Sequence, residues 1–263
     1  MVGATELQER AARAVPAEYV TRIGPWWLRH APGCSWWIGS VLPHMAHMSN
    51  TPNTPHSGAS APSRAELDGL ISAAEAYTAE RGIPTLMQMT PGAVPPELDA
   101  ILEARGYERQ ASVSLQTATT AEVLALAPTG VLRARLAEEP TREWFDAWHG
   151  IIGGDPDPQW RLLRRVEERS AYVSVELGDE TVAVGRAVAD SGWAGVFNMA
   201  TRREARGKGA AGAVLAALAG WAAANDVPRM YLQAEHENET AMRLYGRVGF
   251  SELVPFYFRV LER

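Results

Sequence analysis

The spacing of apolar residues predicts helices and strands that alternate along most of the chain. Between Ser63, a favourable N-cap residue, and Gly82, apolar side chains recur every three or four positions, which predicts an amphipathic helix. Pro84 then opens a short strand of sequence TLMQM. Pro95-Pro96 starts a second helix, and a further strand is predicted over 107–116.

The second half of the chain, from about Val131, shows a similar alternation. Two helical patterns come first, over about 142–152 and 158–169, and three strands with a turn at Gly178-Asp179 follow as an antiparallel meander. The remaining predicted elements are a helix after Gly207, a strand after Pro228, a helix capped by Asn238 and a last strand over 250–260. The pattern is that of an α/β protein of the α+β type.

Landmarks recur between the two halves at a nearly constant separation. Tyr77, Pro84 and Gly106-Tyr107 match Trp221, Pro228 and Gly249-Phe250 at offsets of 143 to 144 residues. A fixed offset between the same kinds of element predicts an internal duplication. We therefore expect two domains, one over 1–125 and one over 126–263.

Two segments near the start of the chain stand outside this alternation. The stretch PWWLRHAPGCSWWIGSVL, residues 25–42, has two aromatic runs around Pro32-Gly33, which predicts a hairpin with one tryptophan of each pair in the core. The alternative is that these tryptophans line a pocket for a flat or cationic substrate. Residues 49–64 include one charged and no large apolar side chain, which predicts a mobile loop.

Composition narrows the class of protein. With 46% hydrophobic and 21% charged residues over 263 positions, the chain is globular in composition. Its single cysteine, Cys34, excludes a disulfide framework. No metal site is expected at His44 and His47, because no acidic or cysteine residues stand nearby, and we expect both histidines in a surface loop. A net charge of -6 argues against a nucleic-acid partner. Because neither a signal sequence nor a membrane span is visible, we expect a cytoplasmic protein with no membrane partner.

The sharpest local feature is a glycine-rich loop, RGKGAAG, at residues 206–212. Glycines permit a tight turn, and unpaired N–H groups at a helix start attract anions, so the loop predicts a phosphate cradle. A Walker A loop is excluded because Gly212 is followed by Ala213 instead of Lys and Ser or Thr. The dinucleotide pattern G-x-G-x-x-G is formally present, but antiparallel strands precede it, and six residues separate it from the nearest one.

Two blocks of sequence together resemble the GNAT superfamily of acyl-CoA-dependent N-acetyltransferases. The first, NMATRREARGKGAAGAVLAALAGWA, meets the family motif R/Q-x-x-G-x-G/A with Arg206, Gly209 and Ala211. The second, LQAEHENETAMRLYGRVGF, is similar to the strand and helix that follow in the family. The resemblance covers about residues 131–260.

The resemblance implies a fold, a donor and a set of binding residues. The fold is a mixed, mostly antiparallel sheet flanked by helices, here as a tandem of two GNAT-like units. Acetyl-CoA is the implied co-substrate, with its pyrophosphate on the loop amides and its pantetheine arm along the end of a splayed strand. The residues implied in cofactor binding are Met199, Ala200, Thr201, Arg206, Gly207, Lys208, Gly209, Ala210, Ala211, Asn238 and Tyr245.

The resemblance also implies a reaction, the transfer of an acetyl or short acyl group to a primary amine of a small molecule or peptide by direct attack in a ternary complex. The Met199 N–H is the group implied in polarising the thioester carbonyl, and Tyr245 the one implied in protonating the leaving thiolate. The general base stays open among Glu235, His236 and His149, with Asn198 able only to hold a water. The acceptor is not identified, and a homodimer stays open.

The first half of the chain lacks the parts that carry this chemistry. It has no R-x-x-G-x-G/A loop, and at the places of Asn238 and Tyr245 it has Pro95 and Leu102. We therefore expect a degenerate domain that covers the catalytic sheet. The alternative function for the whole chain is an inactive CoA-binding sensor or interaction module, but such a module needs no thiol-protonating tyrosine.

Overall fold

The computed structural model describes residues 3–44, 62–128 and 132–262, which divide into two units. Unit 1 consists of Met1–Glu6, Ala17–Ser112 and Pro255–Arg263, and unit 2 of Leu7–Pro16 and Val113–Val254. Each unit therefore combines segments that are far apart in the sequence. Among the described residues, no helix has the length and apolar character needed to span a bilayer.

The helices and strands follow one another along nearly the whole of the described chain. The α-helices are α1 (Ala4–Ala14), α2 (Arg64–Ala79), α3 (Leu98–Ala104), α4 (Thr120–Leu126), α5 (Arg142–Ile152), α6 (Pro156–Leu163), α7 (Ala210–Ala224) and α8 (Glu239–Arg247). The strands are β1 (Tyr19–Ile23), β2 (Trp26–His30), β3 (Thr85–Met89), β4 (Glu108–Thr119), β5 (Arg133–Ala137), β6 (Ser170–Leu177), β7 (Glu180–Asp190), β8 (Trp193–Thr201), β9 (Arg229–Glu235) and β10 (Ser251–Leu261). Short 3₁₀ turns occupy Trp36–Gly39 and Arg203–Ala205.

Unit 1 has an apolar core between its helices and its strands. Helix α2 begins at the predicted N-cap, Ser63, and its apolar stripe is buried against β3 and α3. Strand β3 pairs antiparallel with the end of β10, from Met89 opposite Tyr257 to Thr85 opposite Leu261. The last strand of the chain thus completes the sheet of the unit that contains most of the first half.

The predicted hairpin around Pro32-Gly33 is reduced to one antiparallel bridge, in which Trp27 and Leu42 exchange backbone hydrogen bonds of 3.1 and 2.9 Å. A longer hairpin lies earlier, between β1 and β2, and turns at Gly24, whose φ of 56° suits glycine. Trp26 is buried in the core as expected, whereas Trp36 lies in a 3₁₀ turn and is 49% exposed. The second aromatic run thus forms a turn instead of a strand, because two aromatic runs around a Pro-Gly pair fit both arrangements equally well.

The predicted loop over 49–64 and His47 lie largely outside the described residues, which resume at residue 62. His44, which the sequence placed at the surface, is 1% exposed and belongs to unit 1. The surface prediction for this histidine is therefore wrong. Within the described ranges, no group of three or more His, Cys, Asp or Glu side chains is arranged to hold a metal ion.

Unit 2 contains six neighbouring strands of an eight-stranded sheet, in the order β4-β9-β8-β7-β6-β5. All neighbouring strands are antiparallel except β8 and β9, which run parallel. The meander of β6, β7 and β8 and its turn at Gly178 confirm the strand pattern in the sequence. A crossover through α7 joins β8 to β9, as parallel neighbours require.

The two faces of this sheet are covered by different helices. Gly185 on β7 faces α7, since a Cβ placed on it would lie 2.7 Å from Val214 of that helix. Its neighbour Val184 points the other way and packs with aromatic residues of α5, including Trp144 and Phe145. The helix start that holds the glycine loop therefore lies on one face, and α5 lies on the other.

Candidate active site

The glycine loop leads directly into α7 and leaves backbone amides without acceptors. Gly207 and Gly209 have φ values of 76° and 82°, in the left-handed region where side chains are strained. Gly209 is the N-cap of α7 and has no side chain to cap the helix. Among the described residues, no acceptor pairs with the N–H groups of Gly207, Gly209, Ala210 or Ala211.

Two cations flank these amides. Arg206 and Lys208 are both exposed, and neither makes an ion pair with another residue in the described part of the chain. The positive end of the α7 dipole adds to their charge. Free amides, a helix start and two unpaired cations together form a site for an anion such as a pyrophosphate, so the residues present fit the donor that the sequence implies.

The third glycine of the pattern has a different role. A Cβ on Gly212 would lie 2.6 Å from the ring of Pro128, so this glycine allows α7 to pack closely against the segment after α4. The strand before the loop, β8, closes an antiparallel meander, and a 3₁₀ turn at Arg203–Ala205 intervenes before the glycines. This topology differs from the strand, loop and helix of a dinucleotide-binding unit, which excludes that interpretation.

Strand β8 has a bulge near its end. Phe197 pairs with Arg186 and Ala200 with Val184, so Asn198 and Met199 together stand opposite the single residue Gly185. Asn198 has a φ of 53°, a left-handed conformation that asparagine tolerates better than most residues. A bulge of this kind bends the strand and redirects the backbone groups within it.

The sheet also opens next to the bulge, as the sequence predicted. Pairing between β8 and β9 ends at Val196 opposite Leu232, although β8 continues to Thr201 and β9 to Glu235. Beyond that point the two strands no longer hydrogen-bond to each other. The inner edge of β8 at Met199, Ala200 and Thr201 can therefore accept an extended chain as an additional strand.

Met199 and Tyr245 belong to the apolar core cluster of unit 2. The Met199 side chain covers Gly185 beside Val214. Tyr245 is 7% exposed and stands edge-on to Phe250, with ring centroids 6.1 Å apart. The same cluster includes Ala210 at the start of α7. The predicted acid, the predicted carbonyl-polarising residue and the helix start after the glycine loop therefore share one core cluster.

Burial keeps Tyr245 protonated over a wider pH range than an exposed tyrosine. Desolvation raises the pKa of its phenol to about 12, because the phenolate would lose its hydration inside the cluster. Desolvation is the one cause of this shift, and no hydrogen bond contributes to it. At neutral pH Tyr245 is therefore a protonated donor.

Asn238 performs the capping role that its position predicts. Its Oδ1 accepts a hydrogen bond from the Ala241 N–H at 3.1 Å and so closes the start of α8. The side chain is exposed, and its Nδ2 donates to no described residue. The cap leaves this amide group available to a ligand.

The candidate bases lie in three different settings. Glu235 is exposed at the end of β9, next to the opening in the sheet. His236 is paired with Glu252, with its Nε2 2.7 Å from a carboxylate oxygen. His149 stacks on Phe145 and its Nε2 lies 3.2 Å from the carbonyl oxygen of Gly154. The geometry leaves all three open and singles out none.

Sequence analysis missed Arg186, which is fully buried beside the bulge. Its Nε donates to Asn198 Oδ1 at 2.6 Å, so Asn198 is a hydrogen-bond acceptor for the protein and not only a holder of water. The signal in the sequence was a single arginine in the otherwise apolar strand TVAVGRAVA. Burying an isolated charge in a strand costs free energy unless the charge has partners, so such a residue indicates a specific set of contacts at that position.

An uncapped glycine start, a neighbouring bulge and a parted pair of parallel strands are the features that the resemblance to acetyltransferases implies for an acyl-CoA site. Comparison with known sequences agrees, since residues 133–250 match the "Acetyltransferase (GNAT) family". The second half of the chain is therefore similar to this family of acyl-CoA-dependent N-acetyltransferases.

Related proteins extend the likeness to nearly the whole chain. An uncharacterized N-acetyltransferase, YobR of Bacillus subtilis (strain 168), is 26% identical over 259 residues, 97% of each chain. A GCN5-related N-acetyltransferase from Kribbella flavida superposes with a TM-score of 0.68 at 17% identity, over 99% of this chain and 96% of that one. A tandem GNAT protein from the clavulanic acid biosynthesis pathway gives 0.59 at 14% identity, over 76% and 70%. The two structural likenesses show a shared fold.

Proposed function

We propose that the protein transfers an acetyl or short acyl group from acetyl-CoA to a primary amine by direct attack in a ternary complex. The observation that carries this proposal is the uncapped start of α7 at Gly209, which shares one cluster with the β8 bulge at Met199 and with Tyr245. Anion site, strand opening and proton donor are the three parts that such a transfer requires.

The residues around the loop would hold the donor. The amides of Gly207, Gly209, Ala210 and Ala211, which have no acceptor among the described residues, would hold the pyrophosphate, and Arg206 and Lys208 would add charge. Along the opened edge of β8, Met199, Ala200 and Thr201 offer backbone groups to the pantetheine arm, and Asn238 offers its Nδ2. Acetyl-CoA supplies the activated thioester.

The chain's own groups then account for charge and protons. The attacking amine forms the new C–N bond and gives its proton to a base, while the C–S bond breaks and the thiolate takes a proton. The Met199 N–H would stabilise the developing negative charge on the carbonyl oxygen. Tyr245 would protonate the thiolate, and the burial that holds its phenol neutral also raises the basicity of a thiolate in the same cluster.

We also propose that the first half is a degenerate unit of the same kind. Its elements α2, β3, α3 and β4 follow one another in the same order as α7, β9, α8 and β10. Where the second half has Tyr245, the first half has Leu102, which is completely buried in the core of unit 1. Such a half would bind no acyl-CoA.

The test is acetyl-CoA turnover against a panel of amines, followed by release of free thiol, with CoA affinity measured calorimetrically on the same sample. Turnover with any amine supports the proposal and begins to identify the acceptor. Binding without turnover across a broad panel would instead favour a CoA sensor, and absence of binding would contradict the assignment of the loop.

A further inference from the structure

Arg186 is a buried cation that makes no direct ion pair with a carboxylate in the described part of the chain, although Glu168 attracts it from a greater distance. The side chain is 0% exposed, and it donates to Asn198 Oδ1 at 2.6 Å and to the carbonyl oxygen of Ala14 at 2.7 Å, while the Tyr172 side chain also interacts with it. The remaining nitrogen, Nη1, is buried without a partner among the described residues. Since desolvating a guanidinium is costly, an apolar side chain would serve packing better at this position.

The two hydrogen bonds explain how the charge is tolerated. Ala14 is the last residue of α1, and the carbonyl end of a helix carries partial negative charge. The guanidinium carbon also lies 5.3 Å from the ring centroid of Phe197, close enough for a cation–π contact. Arg186 therefore contacts two successive residues of β8, Phe197 through its ring and Asn198 through its side chain.

Asn198 is the first residue of the bulge, and Phe197 immediately precedes it. Asn198 is the bulge residue with the left-handed backbone, and Met199 follows it. The direction of the Met199 N–H depends on the peptide plane between them, which the conformation of Asn198 sets. A short, charge-assisted hydrogen bond to the Asn198 side chain restrains that conformation.

We propose that Arg186 is a positioning residue for acyl transfer, which holds Asn198 in its left-handed conformation and thereby directs the Met199 N–H at the thioester carbonyl. The expected effect of Arg186 on the reaction rate rests on the proposed function. Its expected effect on the backbone conformation of Asn198 does not, because that conformation can be measured in the free protein.

Three variants distinguish the restraint of Asn198 by Arg186 from a simple contribution of Arg186 to core packing. Arg186→Met removes the guanidinium and keeps a long side chain, and Arg186→Lys keeps a charge and one donor group. Asn198→Gly keeps access to a left-handed backbone but has no side chain for Arg186 to bind. The matched control is Arg29→Met in unit 1, because Arg29 is also buried, at 3% exposure, and also lacks a carboxylate partner.

Arg186→Met and Asn198→Gly should each lower kcat by about 100-fold with the KM for acetyl-CoA changed by less than about threefold, since a misdirected group affects the transition state more than binding. Arg186→Lys should recover part of the rate. The double variant should be no slower than either single one, because both remove the same contact. Arg29→Met should keep the wild-type kcat.

Backbone ¹³C chemical shifts of Asn198 provide the readout that needs no turnover. They should move away from left-handed values in Arg186→Met and stay near them in Arg186→Lys. If wild type releases no thiol with any amine, the proposed function fails, and the shifts alone decide the inference. Unchanged shifts in Arg186→Met, wild-type kcat in Asn198→Gly, or a loss of rate that only follows loss of folded protein would each overturn it.

Discussion

Two helices that hold matching places in the two halves of the chain begin in opposite ways. At α2, the Ser63 N–H donates to Glu66 at 2.6 Å, and Ser63 Oγ accepts from the Glu66 N–H at 3.3 Å, which closes a capping box. At α7, the N-cap is Gly209, and no side chain closes the helix. The capping box therefore places a carboxylate at the start of α2, whereas no side chain occupies the start of α7.

The charges at the two starts reinforce the difference. The first turn of α2 contains Glu66, whose pKa is lowered because the Ser63 N–H donates to its carboxylate, so it is ionised at neutral pH. The first turn of α7 has no acidic residue, and Arg206 and Lys208 precede it. A phosphate would be repelled at one start and attracted at the other. The same order of elements in the two halves thus gives a helix start closed by its own side chains at α2 and a start suited to an anion at α7.

The largest expected effect is on donor binding when the glycine start is blocked. Gly209→Val places a branched side chain at a φ of 82° and over the free amides, and it should weaken CoA binding by about 1000-fold, the loss of roughly two charge-assisted hydrogen bonds. Calorimetric titration measures it. Gly82→Val, at a φ of 63° in unit 1, is the matched control and should keep CoA affinity. If Gly209→Val bound CoA with wild-type affinity, the start of α7 would not be the donor site, and the contrast between α2 and α7 would have no functional meaning.

The next largest effect is expected on chemistry. Tyr245→Phe should lower kcat by about 100-fold, within the range for a lost general acid, at little cost in CoA affinity because only the hydroxyl is removed. Tyr77→Phe is the control, because the side chain of Tyr77 in unit 1 has the same exposed fraction, 7%. Because burial raises the pKa of Tyr245 to about 12, its donor form persists through the alkaline range, and wild-type kcat should show no loss from this group below pH 10. Unchanged turnover in Tyr245→Phe would place the acid elsewhere.

A smaller effect is expected from the cations of the loop. Replacing Arg206 and Lys208 together with glutamine should weaken CoA binding by about tenfold, and the difference should shrink in high salt because both side chains are exposed. The control removes the same total charge at Arg64 and Arg133, which are exposed elsewhere. Equal losses in the two double variants would mean that net charge, and not the loop, attracts the donor.

The sequence was sufficient where function depends on local chemistry. The helix predicted over 142–152 is present as Arg142–Ile152, and the glycine loop and the N-cap at Asn238 lie where their residue types placed them. These features depend on neighbours within a few positions, which spacing and propensity report directly.

Features that depend on distant partners could not be predicted. Arg186 and Ala14 are 172 residues apart in the chain, and nothing in the spacing of either segment indicates that they meet. Strand β10 begins in unit 2 and ends in unit 1, where Arg259 forms a bidentate ion pair with Asp99 at 2.8 and 2.9 Å. Pattern analysis reports which face of an element is apolar but not which element covers it.

The smallest effect should be purely structural and confined to the first half. Ser63→Ala removes the Oγ that accepts from the Glu66 N–H and should lower the free energy of unfolding by about 1 kcal/mol, the usual cost of a lost N-cap. Urea denaturation followed by circular dichroism measures this loss, and acetyl-CoA affinity and kcat should stay at wild-type values. The same substitution frees an amide at the start of α2, yet Glu66 stays in place and no cation is gained. A new CoA site in Ser63→Ala would show that an open helix start alone suffices, and that the flanking charges of α7 add little.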